Sequence, residues 1–185
     1  MKHTLVNGRW RWTPDDSSSG GGGGGLFASY ARVSDHATAS GGAIGSPPGW
    51  DTWFKRNLDD EDFDPDNIVT LSNDRFTLGA GSYFLVARAP VMQLGSSACR
   101  IYNHTDSAVA INGETGFNHE NGAYGQSYIE TKGRVTITGN KAFELQSISE
   151  NSQNYNYALG HYDDDFETGG TSYLIHASVD IYKEA

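Results

Sequence analysis

Tyr173-Leu174-Ile175-His176-Ala177-Ser178-Val179-Asp180-Ile181-Tyr182 is the stretch on which the fold class turns. Tyr173, Ile175, Ala177, Val179 and Ile181 take alternate positions, so in a pleated strand they share one face. His176, Ser178, Asp180 and Tyr182 fall on the other face, beside one apolar Leu174. A strand with one apolar and one mostly polar side needs a second layer to cover the apolar side. Upstream the same period recurs. Tyr83, Leu85, Ala87 and Ala89 alternate with Phe84, Val86 and Arg88 after an Ala80-Gly81 turn. Arg100–Asn103 and Ala108–Asn112 read as strands about the turn residues His104-Thr105-Asp106-Ser107.

Further strands follow from the same reasoning. Tyr128-Ile129-Glu130 precedes Arg134-Val135-Thr136-Ile137-Thr138, where Val135 and Ile137 face inward. Gly139-Asn140 then reads as a glycine-first hairpin loop leading into Phe143-Glu144-Leu145-Gln146-Ser147-Ile148. Phe27-Ala28-Ser29-Tyr30-Ala31-Arg32-Val33 alternates like an opening strand. Short strands with turn signals every 8–12 residues or so predict an all-β, antiparallel jelly-roll sandwich. Composition agrees. Only 37% of the 185 residues are hydrophobic and 23 are glycine, which suits a turn-rich β protein with a modest core.

The chain divides into three zones. Residues 1–19 form an N-terminal docking arm, 20–25 a glycine tether, and 26–185 the jelly-roll head. In the arm, Arg9-Trp10-Arg11-Trp12 places both indoles on one side of an extended segment, and two tryptophans are costly to leave in water. Either the segment packs back on its own domain or it docks on another protein's surface. The Ser17–Ser19 run and the six glycines Gly20–Gly25 favour docking, because such a tract decouples what it joins.

Several function classes are disfavoured. A net charge of −10 opposes binding to a phosphate backbone, so no nucleic-acid partner is expected. No apolar run approaches the roughly 18 residues that span a bilayer, and Met1–Gly8 lacks the apolar stretch of a signal peptide. The expectation is synthesis in a host cytoplasm without membrane insertion. The lone Cys99 excludes an internal disulfide and reads as a buried, inert thiol.

Six histidines stand outside any His-x-His or His-Glu-x-x-His spacing, and the acidic run Leu58–Asp66 lacks a calcium-loop pattern. No metal, cofactor or catalytic residue is therefore assigned. Non-enzymatic binding is easier to motivate. Asn118, His119 and Tyr124 in one loop, with Asn154, Tyr155 and Tyr157 in another, combine amides with flat aromatic rings. Such residues recognise a sugar or a protein epitope, and equally serve as loop amides and packing tyrosines.

Phe76-Thr77-Leu78-x-Ala80-Gly81-x-Tyr83, Ala87-x-Ala89-Pro90, Arg100-Ile101-Tyr102-Asn103-x-Thr105-Asp106 and Phe143-Glu144-Leu145-Gln146 resemble bacteriophage virion proteins. These carry a jelly roll like that of tumour necrosis factor and the complement globular heads. Trp53-x-x-Arg56-Asn57-Leu58 is similar to the segment that leads into that domain. The resemblance implies about ten strands, a homotrimer, and no shared catalytic residues. It also implies a place on the virion exterior, where the arm Arg9, Trp10, Arg11 and Trp12 docks on a tail or capsid protein. The function it points to is a tail-fibre appendage that attaches to a host-surface glycan or protein. Capsid decoration is the alternative, and a polysaccharide-degrading enzyme a more distant one.

Overall fold

The computed structural model describes residues 2–6, 9–13, 25–38, 47–49, 51–92, 94–118, 126–150, 159 and 173–185. Its first two strands, β1 (Lys2–Val6) and β2 (Arg9–Thr13), pair antiparallel. Val6 opposes Arg9, so Asn7 and Gly8 alone connect them. Asn-Gly between two strands is the strongest short-range hairpin signal, so the tryptophan-bearing segment is half of a hairpin, not a lone extended arm. The side chains of Arg9, Trp10, Arg11 and Trp12 lie outside the described structure; only their backbone register is fixed.

The head holds eleven antiparallel strands in two sheets among the described residues. They are β3 (Phe27–Thr38), β4 (Phe54–Lys55), β5 (Asp60–Phe63), β6 (Val69–Ser72), β7 (Arg75–Leu78), β8 (Gly81–Met92), β9 (Gly95–Asn103), β10 (Ala108–Asn118), β11 (Gln126–Ile137), β12 (Lys141–Ser149) and β13 (Tyr173–Glu184). One sheet runs β10-β9-β12-β7-β6, with β4 also paired to β12; the other runs β11-β8-β13-β3-β5. Consecutive strands repeatedly change sheet, which is the jelly-roll pattern expected from the sequence.

The alternating positions form the core. Leu85, Ala87 and Ala89 of β8, Val179 and Ile181 of β13, Ile101 of β9 and Leu145 of β12 are fully buried between the sheets. Phe76 and Phe143 stack at 5.6 Å between ring centres at the heart of the six-stranded sheet. Cys99 is buried, and burial pushes its thiol up to about 12, as an inert packing residue requires. At the open edge, β10 presses so closely on its neighbours that a Cβ on Gly113 would sit 2.2 Å from the Cys99 carbonyl oxygen. Only glycine fits there, and it lies within a register shift of β10 between Asn112 and Thr115.

The fold departs from the sequence reading at three points. Gly139-Asn140 closes no hairpin, because β11 pairs with β8 in one sheet and β12 with β9 and β7 in the other. A glycine-first turn reverses the chain locally, but the face that each strand must bury selects its sheet. Ile175 is 43% exposed although its alternation places it inward. A register shift on β13 between Ile175 and Ser178 inserts one residue opposite β3, which flips the phase there. The acidic run, assigned no strand from the sequence, contributes an edge strand, β5. Its charges suit an edge, since they discourage further pairing.

Candidate functional site

The outer face of the five-stranded sheet is built from the residues that alternate with its core positions. Tyr30 of β3, Tyr182 of β13 and Phe84 of β8 are register partners in one row, continued by Arg134 of β11. Phe63 of β5 packs beside Tyr30 at 5.7 Å, and Phe27 lies 5.0 Å from Tyr182. The rings thus form a continuous aromatic row across four of the five strands. Phe63 remains 51% exposed and Phe27 36%. Neighbouring exposed aromatics are a liability for a lone soluble chain and a resource for one that assembles.

Above this row the face is charged and internally bonded. Tyr30 Oη donates to Asp180 Oδ1 at 2.6 Å; burial and that bond raise its hydroxyl to about 12, so it stays a donor at neutral pH. Asp62 lies 3.3 Å from Arg32 Nε and 2.6 Å from His36 Nε2, and it accepts from Ser34 Oγ at 2.8 Å. Asp64 accepts the backbone N–H groups of Ile68 and Val69, both at 2.9 Å. These carboxylates of the acidic run therefore bind their own protein. No group of three His, Cys, Asp or Glu arranged to hold a metal occurs among the described residues.

The outer face of the six-stranded sheet is made differently. The Arg100 guanidinium covers the Trp53 ring at 3.9 Å and reaches Tyr102 at 5.1 Å. Arg100 Nε also donates to Gln146 Oε1 at 2.9 Å, and Gln146 Nε2 donates to Glu144 Oε2 at 2.7 Å. Glu144 Oε1 accepts from Arg75 Nε at 2.7 Å and lies 3.3 Å from His104 Nδ1. These aromatic and charged groups are thus paired off, while Phe117 on the edge strand β10 stays 67% exposed.

A further charged group lies inside the sandwich. Arg56 is 2% exposed and donates to the Pro90 carbonyl at 3.1 Å and to the Leu159 carbonyl at 2.7 Å. Burial lowers its guanidinium to about 10, while Asp35 draws it back up. Burial raises Asp35 to about 6 against the pull of Arg56, and burial with Arg56 nearby lowers His176 to about 4. Sequence reading missed this buried set. The only signal was one polar residue at an inward position of β3, which looks like the end of a strand.

Of the proposed ligand-binding residues, Asn118 closes β10 opposite Gly95, and its side chain is outside the described structure. His119, Tyr124, Asn154, Tyr155 and Tyr157 lie outside the described residues. The roots of their two loops are described, and they meet. Phe117 pairs with Ser96 on β9, and the Glu150 N–H donates to the Ser96 carbonyl at 2.8 Å. Both loops therefore leave the same end of the sandwich from neighbouring positions. That proximity is set by sheet order and was not readable from two segments some thirty residues apart in sequence.

No family model matches the chain, and no curated protein matches it. Among solved structures it is similar to murine APRIL at pH 8.0, with a TM-score of 0.50 and 6% identity, over 84% of this chain and 98% of that chain. Murine APRIL at pH 5.0 gives the same values. The globular domain of zebrafish complement 1qA protein aligns with a TM-score of 0.47 and 12% identity, over 83% of this chain and 95% of that one. At such identity the likeness concerns the fold. The head is a jelly roll of the tumour-necrosis-factor type.

Proposed function

We propose that this chain is a non-enzymatic, homotrimeric protein of a bacteriophage exterior, a tail appendage whose head attaches to the host surface. The observation that carries this reading is the aromatic row Phe63, Tyr30, Tyr182, Phe84 and Phe27 on one outer face. Large rings side by side, two of them well exposed, fit burial against further copies of the same head. Assembly about a threefold axis through that face would point the loop roots at Ser96 of each copy in one direction. The phage assignment rests on the sequence resemblance. The docking role belongs to the β1–β2 hairpin, which precedes the six glycines Gly20–Gly25.

Two measurements test the reading. The solution mass of the full chain should be three times 20.1 kDa, and a monomer would overturn the trimer. Deleting residues 1–25 should leave a folded trimer that no longer enters particles and, added in excess, still blocks adsorption of intact phage. Truncated protein that still incorporates would remove the docking role, and failure to compete would remove the attachment role. High copy number on the capsid in place of low copy number on the tail would move the protein to capsid decoration.

A further inference from the structure

A cleft of about 200 Å³ opens on the outer face of the five-stranded sheet. Strand alternation decides which side chains reach it. Arg32 of β3 stands between buried Ala31 and Val33, and Arg88 of β8 between buried Ala87 and Ala89, so both guanidiniums point outward. Ser178 of β13 stands between buried Ala177 and Val179 and is the register partner of both Arg88 and Ser34. Tyr128 of β11 precedes buried Ile129 and is 48% exposed. Ile175 and His176 close the remaining side. The hollow comes from a difference in size. β13 runs between β3 and β8, which puts the strands of the two arginines about 10 Å apart, and the small Ser178 and Ser34 leave space between them. The two loops that carry the proposed ligand-binding residues end at the starts of β11 and β13, Gln126 and Tyr173, just before Tyr128 and Ile175.

Both arginines keep donors to spare. Arg88 lays its guanidinium over the Tyr128 ring at 4.6 Å, and its charged neighbour Glu130 is 3.9 Å away, beyond hydrogen-bond length. Glu130 accepts instead from Lys132 Nζ at 3.0 Å. Arg32 Nε lies 3.3 Å from Asp62 but has no hydrogen-bond partner among the described residues. Asp62 is engaged by His36 at 2.6 Å and Ser34 at 2.8 Å, and Asp180, 3.9 Å from Arg32, accepts from Tyr30 at 2.6 Å. These carboxylates balance the charge of the arginines without taking up their N–H groups. A guanidinium backed by an aromatic ring, with its N–H groups unspent, is suited to an oxyanion, and its planar fork matches a carboxylate.

We infer that this cleft binds the carboxylate of an acidic sugar, with Arg88 and Arg32 as its charged contacts and the hydroxyls of Ser178 and Tyr128 for the ring hydroxyls beside it. The volume admits one charged group and not a whole drug-sized ligand, so the rest of the sugar stays at the mouth. A neutral sugar leaves the guanidiniums unmatched, and an acidic amino-acid side chain brings no hydroxyl to Ser178 and Tyr128. The net charge of −10 and the nearby carboxylates keep the affinity of one cleft low. Ser178 and Tyr182 are four positions apart on β13, about 13 Å, so the cleft and the aromatic row are separate parts of one face. A trimer closed on the row carries three clefts, and their combined hold supplies what one lacks. The inference rests on the attachment reading for the source of the sugar, a host-surface glycan, and it names where that glycan binds.

Saturation-transfer NMR on the full chain tests it, with methyl β-glucuronide and methyl α-galacturonide as probes, methyl β-glucoside as the neutral control and N-acetylaspartate as the acidic amino acid. At least one uronide should show transfer, the glucoside none, and N-acetylaspartate should bind at least about tenfold more weakly than the uronide. Arg88→Gln removes a charge that makes no hydrogen bond to the described residues, so the fold should be unaffected while uronide affinity falls about tenfold. Lys141→Gln, at the opposite end of the sandwich, makes the same change in net charge and should leave binding as it is. No transfer to either uronide, equal transfer to the glucoside, equal affinity for N-acetylaspartate, or equal weakening in the two variants overturns the site. Phage adsorption to cells separates the two readings. If wild-type chain and Arg88→Gln block adsorption equally, the cleft inference falls and attachment stands. If the wild type binds a uronide through Arg88 yet never blocks adsorption, the site stands and the attachment reading falls.

Discussion

The two sheets of the head have opposite finishes. On the six-stranded sheet, Trp53 and Tyr102 lie against the Arg100 guanidinium, and Glu144 is shared among Arg75, Gln146 and His104. On the five-stranded sheet, Phe63, Tyr30, Tyr182, Phe84 and Phe27 touch mainly one another and leave two rings open. The open rings of the five-stranded sheet adjoin one another, whereas the open apolar groups of the six-stranded sheet, Phe117 and Val109, stand on its edge strand β10. The interiors differ too. The five-stranded sheet contributes the titratable Asp35 and His176 to the buried set around Arg56, whereas the six-stranded sheet contributes Cys99, Ser97 and Ser147. Assembly and pH response should therefore both follow the five-stranded sheet.

The largest expected effect tests the open face. Phe84→Lys with Phe63→Lys places two ammonium groups in the aromatic row and should convert the trimer wholly to monomer at working concentrations. Tyr102→Lys on the six-stranded sheet should leave the trimer intact. Light scattering after size exclusion reads both. Equal behaviour of the two variants would erase the distinction between the faces.

Next comes the interior. Folded Asp35 titrates near 6, above its ordinary 3.8, so its contribution is present below about pH 4 and is lost as pH rises through 6. Folded His176 titrates near 4, below 6.5, so its contribution is present above 6.5 and is lost as pH falls through 4. Between pH 4 and 6 the two oppose each other. Asp35→Asn should expose the histidine alone, with about 3 kcal/mol of stability lost on acidification from pH 6.5 to 4. His176→Asn should slope the other way, gaining stability as pH falls from 6 to 4. Urea midpoints across that range check this, and parallel slopes in the two variants would contradict the assigned directions.

Strands were legible where one period ran unbroken, as at Tyr83–Ala89 and Ala177–Ile181, because burial enforces alternation. Ile175 was misplaced because a bulge depends on the partner strand, which the sequence of β13 does not contain. Gly139-Asn140 was misread for a related reason: turn chemistry is local and sheet membership is not. The Asn7-Gly8 connection is legible in the sequence, because Asn-Gly is a two-residue hairpin signal whatever the side chains beside it. Arg56 could be singled out in sequence only through resemblance, since nothing in its neighbourhood says that a cation will sit 2% exposed. The aromatic row needed register. Phe63, Tyr30, Tyr182 and Phe84 come from separate strands, and only sheet order places them together.

On the six-stranded face, Glu144→Ala should cost about 2 kcal/mol, because it leaves Arg75 and Gln146 without their shared acceptor. The loss should appear in the denaturation midpoint with the trimer unchanged. A shift in oligomeric state would mean that this face also takes part in assembly.

The smallest effect is the most discriminating. Arg100→Ala removes the cation from Trp53 and Tyr102 and one donor from Gln146. At a partly exposed site such a stack is worth about 0.5–1 kcal/mol, so the fold should survive with a modestly lower midpoint. The informative consequence is what becomes of the rings. If Arg100 is what keeps this face compatible with water, uncovering Trp53 and Tyr102 should give it the character of the other sheet, with new concentration-dependent association beyond the trimer. Arg100→Lys keeps the charge but loses the planar stack, and it should fall between the two. If Arg100→Ala stays strictly trimeric and as soluble as the parent, bare rings alone do not drive association, and the aromatic row on the opposite sheet would need charge or shape complementarity to explain a trimer.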